Sequence, residues 1–446
     1  MKSLPRCAPL IALLCVIGSA AVAAGGGTHF EVSYPPSPNA GELQLGVTYT
    51  IWIPDGVKAL RGIIVHQHGC GTGAGKGGET AAYDLHWQTL AKKWDCALLG
   101  PSYRQADTQN CRLWCDPRNG SDKTFLKSLG DLAKRSGHAE LETIPWCLWG
   151  HSGGGFWSSL MLTLHPERIA AIWFRSGSAF GVWEKGEIPA PQLTDAVYEV
   201  PLMFNGGVKE ETDKRHGPAR VGDRAMFKAW REHGSPAGFA PDPRTGHECG
   251  DSRYLAIPFF DACLAMRLPD KGAASQKLKP VDMKPAWLSP IPGNEAKPAS
   301  SYSGHATEAG WLPNEQVAKA WSEYVTTGAV GDTTPPLVPT NVKAVPKADG
   351  VELTWEAEAD FESGLQAFII QRDGKDLAQL PEKPVGKFGR PLFQQMSYHD
   401  TPEKPLPEMK FTDTSAKPGE KREYRVIAVN SAGLKSAPAT ASLPVR

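Results

Sequence analysis

The stretch Trp146-Cys147-Leu148-Trp149-Gly150-His151-Ser152-Gly153-Gly154 constrains the fold more than any other part of this 446-residue chain. Its four leading apolar residues read as a buried strand, and a helical stretch over 155–164 follows almost at once. A strand that turns so abruptly into a helix sends that helix back over its own sheet, the arrangement of a parallel α/β layer structure. The turn strains the backbone of its central residue, so the glycines on both sides leave room for close packing. Ser152 is thereby expected to hold its hydroxyl above the sheet edge.

The surrounding sequence repeats the same pattern. Short apolar runs at 62–67, 96–100, 145–150, 169–175, 201–205 and 238–241 read as strands, with helices expected over 82–93, 123–134, 155–164 and 223–232. Residues 46–54 read as an opening antiparallel strand with Val47, Tyr49, Ile51 and Ile53 on one face. After Arg267 the pattern thins: 268–298 is rich in Pro, Lys and Ser with Trp287 as its aromatic anchor, and reads as an extended surface segment. A last helix near 315–326 carries Val317, Ala320, Trp321 and Tyr324, and Pro335-Pro336 marks a linker.

Lys plus Arg and Asp plus Glu both number 48, so no net field draws the chain to phosphate backbones or anionic lipid; neither nucleic acid nor a membrane is expected as a partner. The N-terminus sets the compartment. A basic start at Lys2 and Arg6, an uncharged apolar run over 10–24 that at 15 residues falls short of the about 20 needed to span a membrane, and the small-x-small site Ala21-Val22-Ala23 read as a signal peptide over 1–24. The mature chain is expected to be secreted or periplasmic. Of nine cysteines, Cys7 and Cys15 fall in that segment; the remaining seven allow up to three disulfides, and Cys111 and Cys115 are natural candidates to bridge each other or separate partners. Without a CxxC pair or a His-x3-His cluster near them, no metal is expected.

Residues 334–446 change to all-β alternation. The Pro336…Val342…Leu353-Thr354-Trp355 opening, Phe411-Thr412-Asp413-Thr414, and Glu423-Tyr424-Arg425-Val426-Ile427-Ala428-Val429-Asn430 with Gly433 resemble a fibronectin type III module. The resemblance implies a core role for Trp355 and makes Tyr424 the strand-F tyrosine. Upstream, Gly150-His151-Ser152-Gly153-Gly154 in its strand-turn-helix context resembles the nucleophile elbow of the α/β-hydrolase superfamily, which residues of about 40 to 330 follow in pattern. The loop His68-Gly69-Cys70 is similar to that of the carbohydrate esterase and polyhydroxybutyrate depolymerase-like group. The implied layout is a signal peptide (1–24), an α/β-hydrolase domain (28–330, with 268–330 as its extended end), a linker (331–335) and an all-β fibronectin type III sandwich (336–446).

In that superfamily the order along the chain is serine, acid, histidine. Ser152 is a weak nucleophile until a base takes its proton. His247, in Thr245-Gly246-His247-Glu248 just past the last strand of the sheet, stands where that base belongs; His216, His233, His305 and His399 are less well placed. The acid should follow the 201–205 strand, where Asn205-Gly206-Gly207-Val208-Lys209-Glu210 makes Glu210 the first choice and Glu211 and Asp213 its rivals. Backbone amides of Gly153 and Cys70 are assigned to the oxyanion.

The loop over 102–122 adds Tyr103 and Trp114 at the carboxyl end of the sheet, where with His151 they are expected to meet substrate, packing beneath the long loop being the alternative for Trp114. The resemblance thus implies a cofactor-free secreted serine hydrolase acting on an ester substrate, with acetyl or feruloyl groups on a polysaccharide, or a polyester, as its class. A serine peptidase of prolyl-oligopeptidase type is the second reading, and a non-catalytic binding or adhesion protein on a hydrolase scaffold the third.

Overall fold

The computed structural model describes residues 26–272, 277–385, 391, 393, 408–417 and 420–443. The expected signal peptide over 1–24 lies outside them.

An eight-stranded sheet forms the body of the chain. Strands β1 (Gly27–Tyr34), β2 (Val47–Pro54), β3 (Gly62–Gln67), β4 (Cys96–Tyr103), β5 (Trp146–His151), β6 (Ile169–Arg175), β7 (Leu202–Gly207) and β8 (Ala237–Asp242) lie in the order β1-β2-β4-β3-β5-β6-β7-β8. β2 runs antiparallel to β1 and β4, and every other neighbouring pair is parallel. Such strands are covered on both faces, which is why their sequences are apolar throughout instead of alternating. In β3, Ile63 and Val65 pack with Leu99, Leu148 and Phe174 on one side, while Ile64 joins Leu98, Cys147 and Trp149 on the other.

Nine α-helices flank the described sheets: α1 (Thr72–Ala81), α2 (Leu85–Lys93), α3 (Arg112–Cys115), α4 (Ser121–Ser136), α5 (Gly153–Leu164), α6 (Phe180–Glu184), α7 (Gly217–Glu232), α8 (Arg253–Arg267) and α9 (Glu315–Thr327). Phe125, Trp157 and Trp230 from α4, α5 and α7 cover one face, and Trp87, Phe259 and Trp321 from α2, α8 and α9 the other. The helix expected over 82–93 begins at Leu85, where buried Asp84 caps it by accepting from the amides of His86 and Trp87. Before it stands α1, which sequence reading missed because four of its ten residues are glycine. A Cβ on Gly78 would strike the carbonyl of Pro101, so this helix is glycine-rich because it lies backbone to backbone on β4.

The segment expected to lie extended on the surface is partly inside. Leu268, Ala286 and Leu288 are buried, and β9 (Trp287–Ser289) pairs with β10 (Lys297–Pro298) and β11 (Gly310–Leu312) as a small antiparallel sheet.

The C-terminal part is a sandwich of two sheets, β12-β13-β16 and β15-β14-β17-β18, from β12 (Thr340–Lys347), β13 (Gly350–Glu356), β14 (Ala367–Arg372), β15 (Lys375–Leu380), β16 (Lys410–Asp413), β17 (Glu423–Val429) and β18 (Ala439–Ser442). Val351, Leu353, Trp355, Phe368, Ile370, Tyr424, Val426 and Ala428 alternate inward as its core. The Tyr424 hydroxyl donates to Asp413 Oδ2 at 2.8 Å. The sandwich rests on α2: His86 Nε2 bonds the Phe361 carbonyl at 2.8 Å, Thr89 Oγ1 donates to the Ala359 carbonyl at 2.9 Å, and Lys93 Nζ lies 4.4 Å over the Phe361 ring.

Candidate active site

Four loops at the carboxyl ends of β3, β5, β7 and β8 converge, bringing Cys70, Ser152, Glu210 and His247 together. Ser152 sits between β5 and α5 with φ 54° and ψ −114°, a left-handed backbone that a non-glycine residue holds only when its surroundings enforce it. They do: its N–H donates to the Arg175 carbonyl at 2.8 Å and its carbonyl accepts from Phe156 at 3.0 Å. A Cβ on Gly150 would strike the Gly154 carbonyl, and one on Gly154 the Gln67 carbonyl, so both flanking glycines are required by contact.

The serine hydroxyl donates to His247 Nε2 at 2.8 Å, and His247 Nδ1 donates to Glu210 Oε1 at 2.5 Å. Glu210 is fully buried. Its two sequence rivals are engaged elsewhere: Glu211 pairs with Arg220 and Arg224 at 3.1 and 3.3 Å, and Asp213 with His216 at 3.0 Å. Burial takes the His247 pKa down to about 4, with the bond to Glu210 opposing that fall, so the ring is neutral near pH 7 and Nε2 is able to accept a proton.

Gly153 opens α5, so its amide has no partner within the helix. A Cβ there would lie 3.4 Å from the Cys70 amide nitrogen and against the Cys70 sulfur, which places the Gly153 and Cys70 backbones side by side next to Ser152. The Cys70 loop is fixed twice. A disulfide joins it to Cys111, Cα to Cα 5.6 Å, so Cys111 pairs across to the other loop and leaves Cys115 a buried thiol. Beneath it, His68 bonds the Gly69 carbonyl through Nδ1 at 2.5 Å and accepts the Tyr103 amide on Nε2 at 3.0 Å. Burial brings the His68 pKa down to about 4, as this single-proton pattern requires.

Trp114, Tyr103 and His151 do not line the cleft, a correction to the sequence reading. Trp114 and Tyr103 are both buried and stacked on each other at 4.6 Å, and Trp114 Nε1 donates to Gln105 Oε1, which also takes the Gly71 amide. Two large rings under a loop are worth more as a packed platform than as an exposed face. They carry the Cys70 loop from below. His151, also buried, donates through Nε2 to the His247 carbonyl at 2.7 Å and so pins the histidine loop.

Sequence reading missed one residue of the site, Arg175, and set another, His216, aside. Arg175 ends the otherwise apolar β6 and is fully buried. It donates to Asn205 Oδ1 at 2.9 Å, to Thr245 Oγ1 at 2.8 Å and to the Glu248 carbonyl, tying β7 to the loop that carries His247. A charged residue closing an apolar strand was the signal available for it. His216, whose ring lies on that of His247, carried no comparable signal.

The sheet order, its antiparallel second strand and the placement of Ser152 in the β5–α5 turn define an α/β-hydrolase fold, followed by a fibronectin type III sandwich. No protein-family model matches the chain. No curated protein matches it. Among solved structures it is similar to an S-formylglutathione hydrolase from Agrobacterium tumefaciens (15% identity, 55% of this chain and 96% of the other, TM-score 0.36). It is also similar to a highly thermostable carboxyl esterase from Bacillus coagulans (11% identity, 53% and 97% covered, TM-score 0.33) and to an Fn3-like protein from Clostridium thermocellum (22% identity, 25% and 94% covered, TM-score 0.17).

Proposed function

We propose that this chain is a serine hydrolase that cleaves carboxylic esters through an acyl-enzyme. The observation that carries the reading is the continuous relay Glu210–His247–Ser152, at 2.5 and 2.8 Å, on a strained turn. Ser152 Oγ attacks the ester carbonyl while His247 Nε2 takes its proton; the same proton then goes to the leaving alcohol. Glu210 holds His247 in the tautomer with Nδ1 protonated and stabilises the imidazolium. The amides of Gly153 and Cys70 receive the negative oxygen of the tetrahedral intermediate. Water then repeats the sequence on the acyl-enzyme and frees the acid. No step requires a cofactor or a metal.

The domain layout belongs to the same reading: a signal peptide over 1–24 directing export to the periplasm or beyond, a catalytic domain over 28–330, a linker over 331–335 and a sandwich over 336–446. An exported hydrolase with such a module suits an ester carried on a polymer, either acyl groups on a polysaccharide or a polyester. The test is hydrolysis of p-nitrophenyl esters by the mature protein beside Ser152→Ala, with fluorophosphonate labelling of both. Labelling and hydrolysis that vanish together in the variant are expected. Hydrolysis that persists in Ser152→Ala would overturn the reading.

A further inference from the structure

A slot of about 660 Å³ opens directly from Ser152 and Gly153. One of its walls is a face of α7, where Pro218, Val221 and Ala225 follow at three- and four-residue spacing and so point the same way. Val221 is 68% exposed, on a helix that otherwise turns Arg224 and Lys228 to solvent. A lone exposed valine is ordinary, but an apolar row continuous with a nucleophile is a surface waiting to be covered. The facing wall is α6, with Phe180 and Val182, and Phe156 of α5 adds a third apolar side. The two helices meet backbone to backbone: a Cβ on Gly181 would lie 3.2 Å from Gly222 Cα. That close approach fixes the width of the slot at its inner end.

The direction of the slot decides which half of an ester enters it. The leaving oxygen must take its proton from His247 Nε2 and therefore lies on the histidine side. The slot is lined by Ser152 and by Gly153 and Cys70, but not by His247. The acyl group is what remains to fill it. At the rim Arg112 pairs with Glu187 at 2.9 Å, and Glu184 and Lys185 add one anion and one cation, so the charges of the lining cancel and give it no net field for a charged acyl group.

We infer that the acyl group of the substrate is bulky, apolar and uncharged, an alkyl chain or an aryl group seated between α6 and α7, and not acetyl. The inference rests on the ester-hydrolase reading above and narrows it: a methyl group would leave the slot empty, whereas each methylene drawn from water into it adds about fourfold to binding.

The test is kcat/KM on p-nitrophenyl acetate, butyrate and octanoate for the wild-type protein and for Val221→Trp, which places a large ring in the slot from an exposed position. Wild type is expected to prefer octanoate to acetate roughly tenfold or more, and Val221→Trp to lower that ratio by roughly tenfold. Ala225→Trp, on the same face, should act alike, while Lys228→Trp, about two turns beyond Val221 on the same row and outside the lining of the slot, should leave the ratio as it is. A preference for acetate, or a ratio that Val221→Trp and Ala225→Trp do not move, would overturn the inference while leaving the esterase standing. If no ester is hydrolysed in a Ser152-dependent way, the ester-hydrolase reading falls and the inference falls with it.

Discussion

The imidazole of His216 lies flat on that of His247, ring centroids 3.9 Å apart and planes 14° apart. Asp213 holds it there, taking His216 Nδ1 on Oδ2 at 3.0 Å and the amides of Arg215 and His216 on Oδ1 at 2.7 and 3.1 Å. His151 stands on another side of His247 at 5.1 Å between centroids, Glu210 binds Nδ1, and Arg175 braces the Gly246 and Glu248 carbonyls on either side of it. The base is therefore enclosed by two histidines, one carboxylate and one guanidinium. The segment that supplies the acid, Val208–Thr212, leads within four residues to the ring that covers the base.

Removing that cover should move the pH profile in a known direction. Burial dominates the fall of the His247 pKa to about 4, and the nearby His216 adds to it. In His216→Ala both effects weaken, so the pKa rises toward its ordinary value near 6.5. The acidic limb of kcat/KM, which reports the free enzyme, should shift upward by about one unit from a wild-type midpoint near pH 4. His216→Phe keeps a ring over His247 but no charge, and should fall between the two. An acidic limb unmoved by His216→Ala would show that the stack does not tune the base.

Among the three acidic residues after β7, only Glu210 reaches His247 in the described structure. Glu210→Gln should lower kcat by about 10⁴-fold, because an amide stabilises the wrong histidine tautomer while leaving the geometry in place. Glu211→Gln should stay within roughly threefold of wild type, since its loss affects an exposed pair with Arg224 and one contact of the buried Arg220, which keeps its bonds to the Gly206 and Gly207 carbonyls. Steady-state kinetics on one ester separates the two; equal losses would mean that the acid is misassigned.

The Cys70–Cys111 disulfide carries both a chemical and a structural load. It closes a loop of 41 residues, worth about 4 kcal/mol in chain entropy, and it restrains the amide assigned to the oxyanion. Reduction with dithiothreitol, or Cys111→Ser, should lower kcat by up to about a hundredfold with a smaller change in KM, and should lower Tm. Both readouts are needed: a fall in Tm with unchanged kcat would make the bridge purely structural.

What the sequence made legible was whatever depended on local pattern. The apolar β3, β5 and β6, and the glycines around Ser152, announced the sheet and its turn because buried parallel strands and a strained elbow leave few choices of residue. Glu210 and His247 followed from order along the chain. The rest depended on contacts between distant segments. The glycines of α1 gave no helical signal because the reason for them is the backbone of β4. Trp114 and Tyr103 looked like a binding face because aromatic residues near a site serve equally as floor and as wall, and only the stack at 4.6 Å tells which. Cys111 was open to several partners until the fold brought Cys70 beside it.

Acid should destabilise this protein well before its carboxylates titrate. His29, His68 and His247 are held near pKa 4 and His86 near 3, and His66 is well below its ordinary value, in each case chiefly through burial. Folded pKa values below the unfolded 6.5 mean that these rings stay neutral in the native chain and take up protons when it unfolds. Their contribution is therefore complete above pH 6.5 and is lost as pH falls from there toward 4. Each such ring adds about 1.4 kcal/mol per pH unit to the slope, about 7 for the five together. The urea midpoint should accordingly be flat between pH 7 and 8 and fall steeply between 6 and 4.5. His86→Gln retains a donor for the Phe361 carbonyl but cannot take up a proton, and should reduce that slope by about a fifth. A urea midpoint that stays constant from pH 7 to 5 would mean that these histidines are protonated in the folded protein.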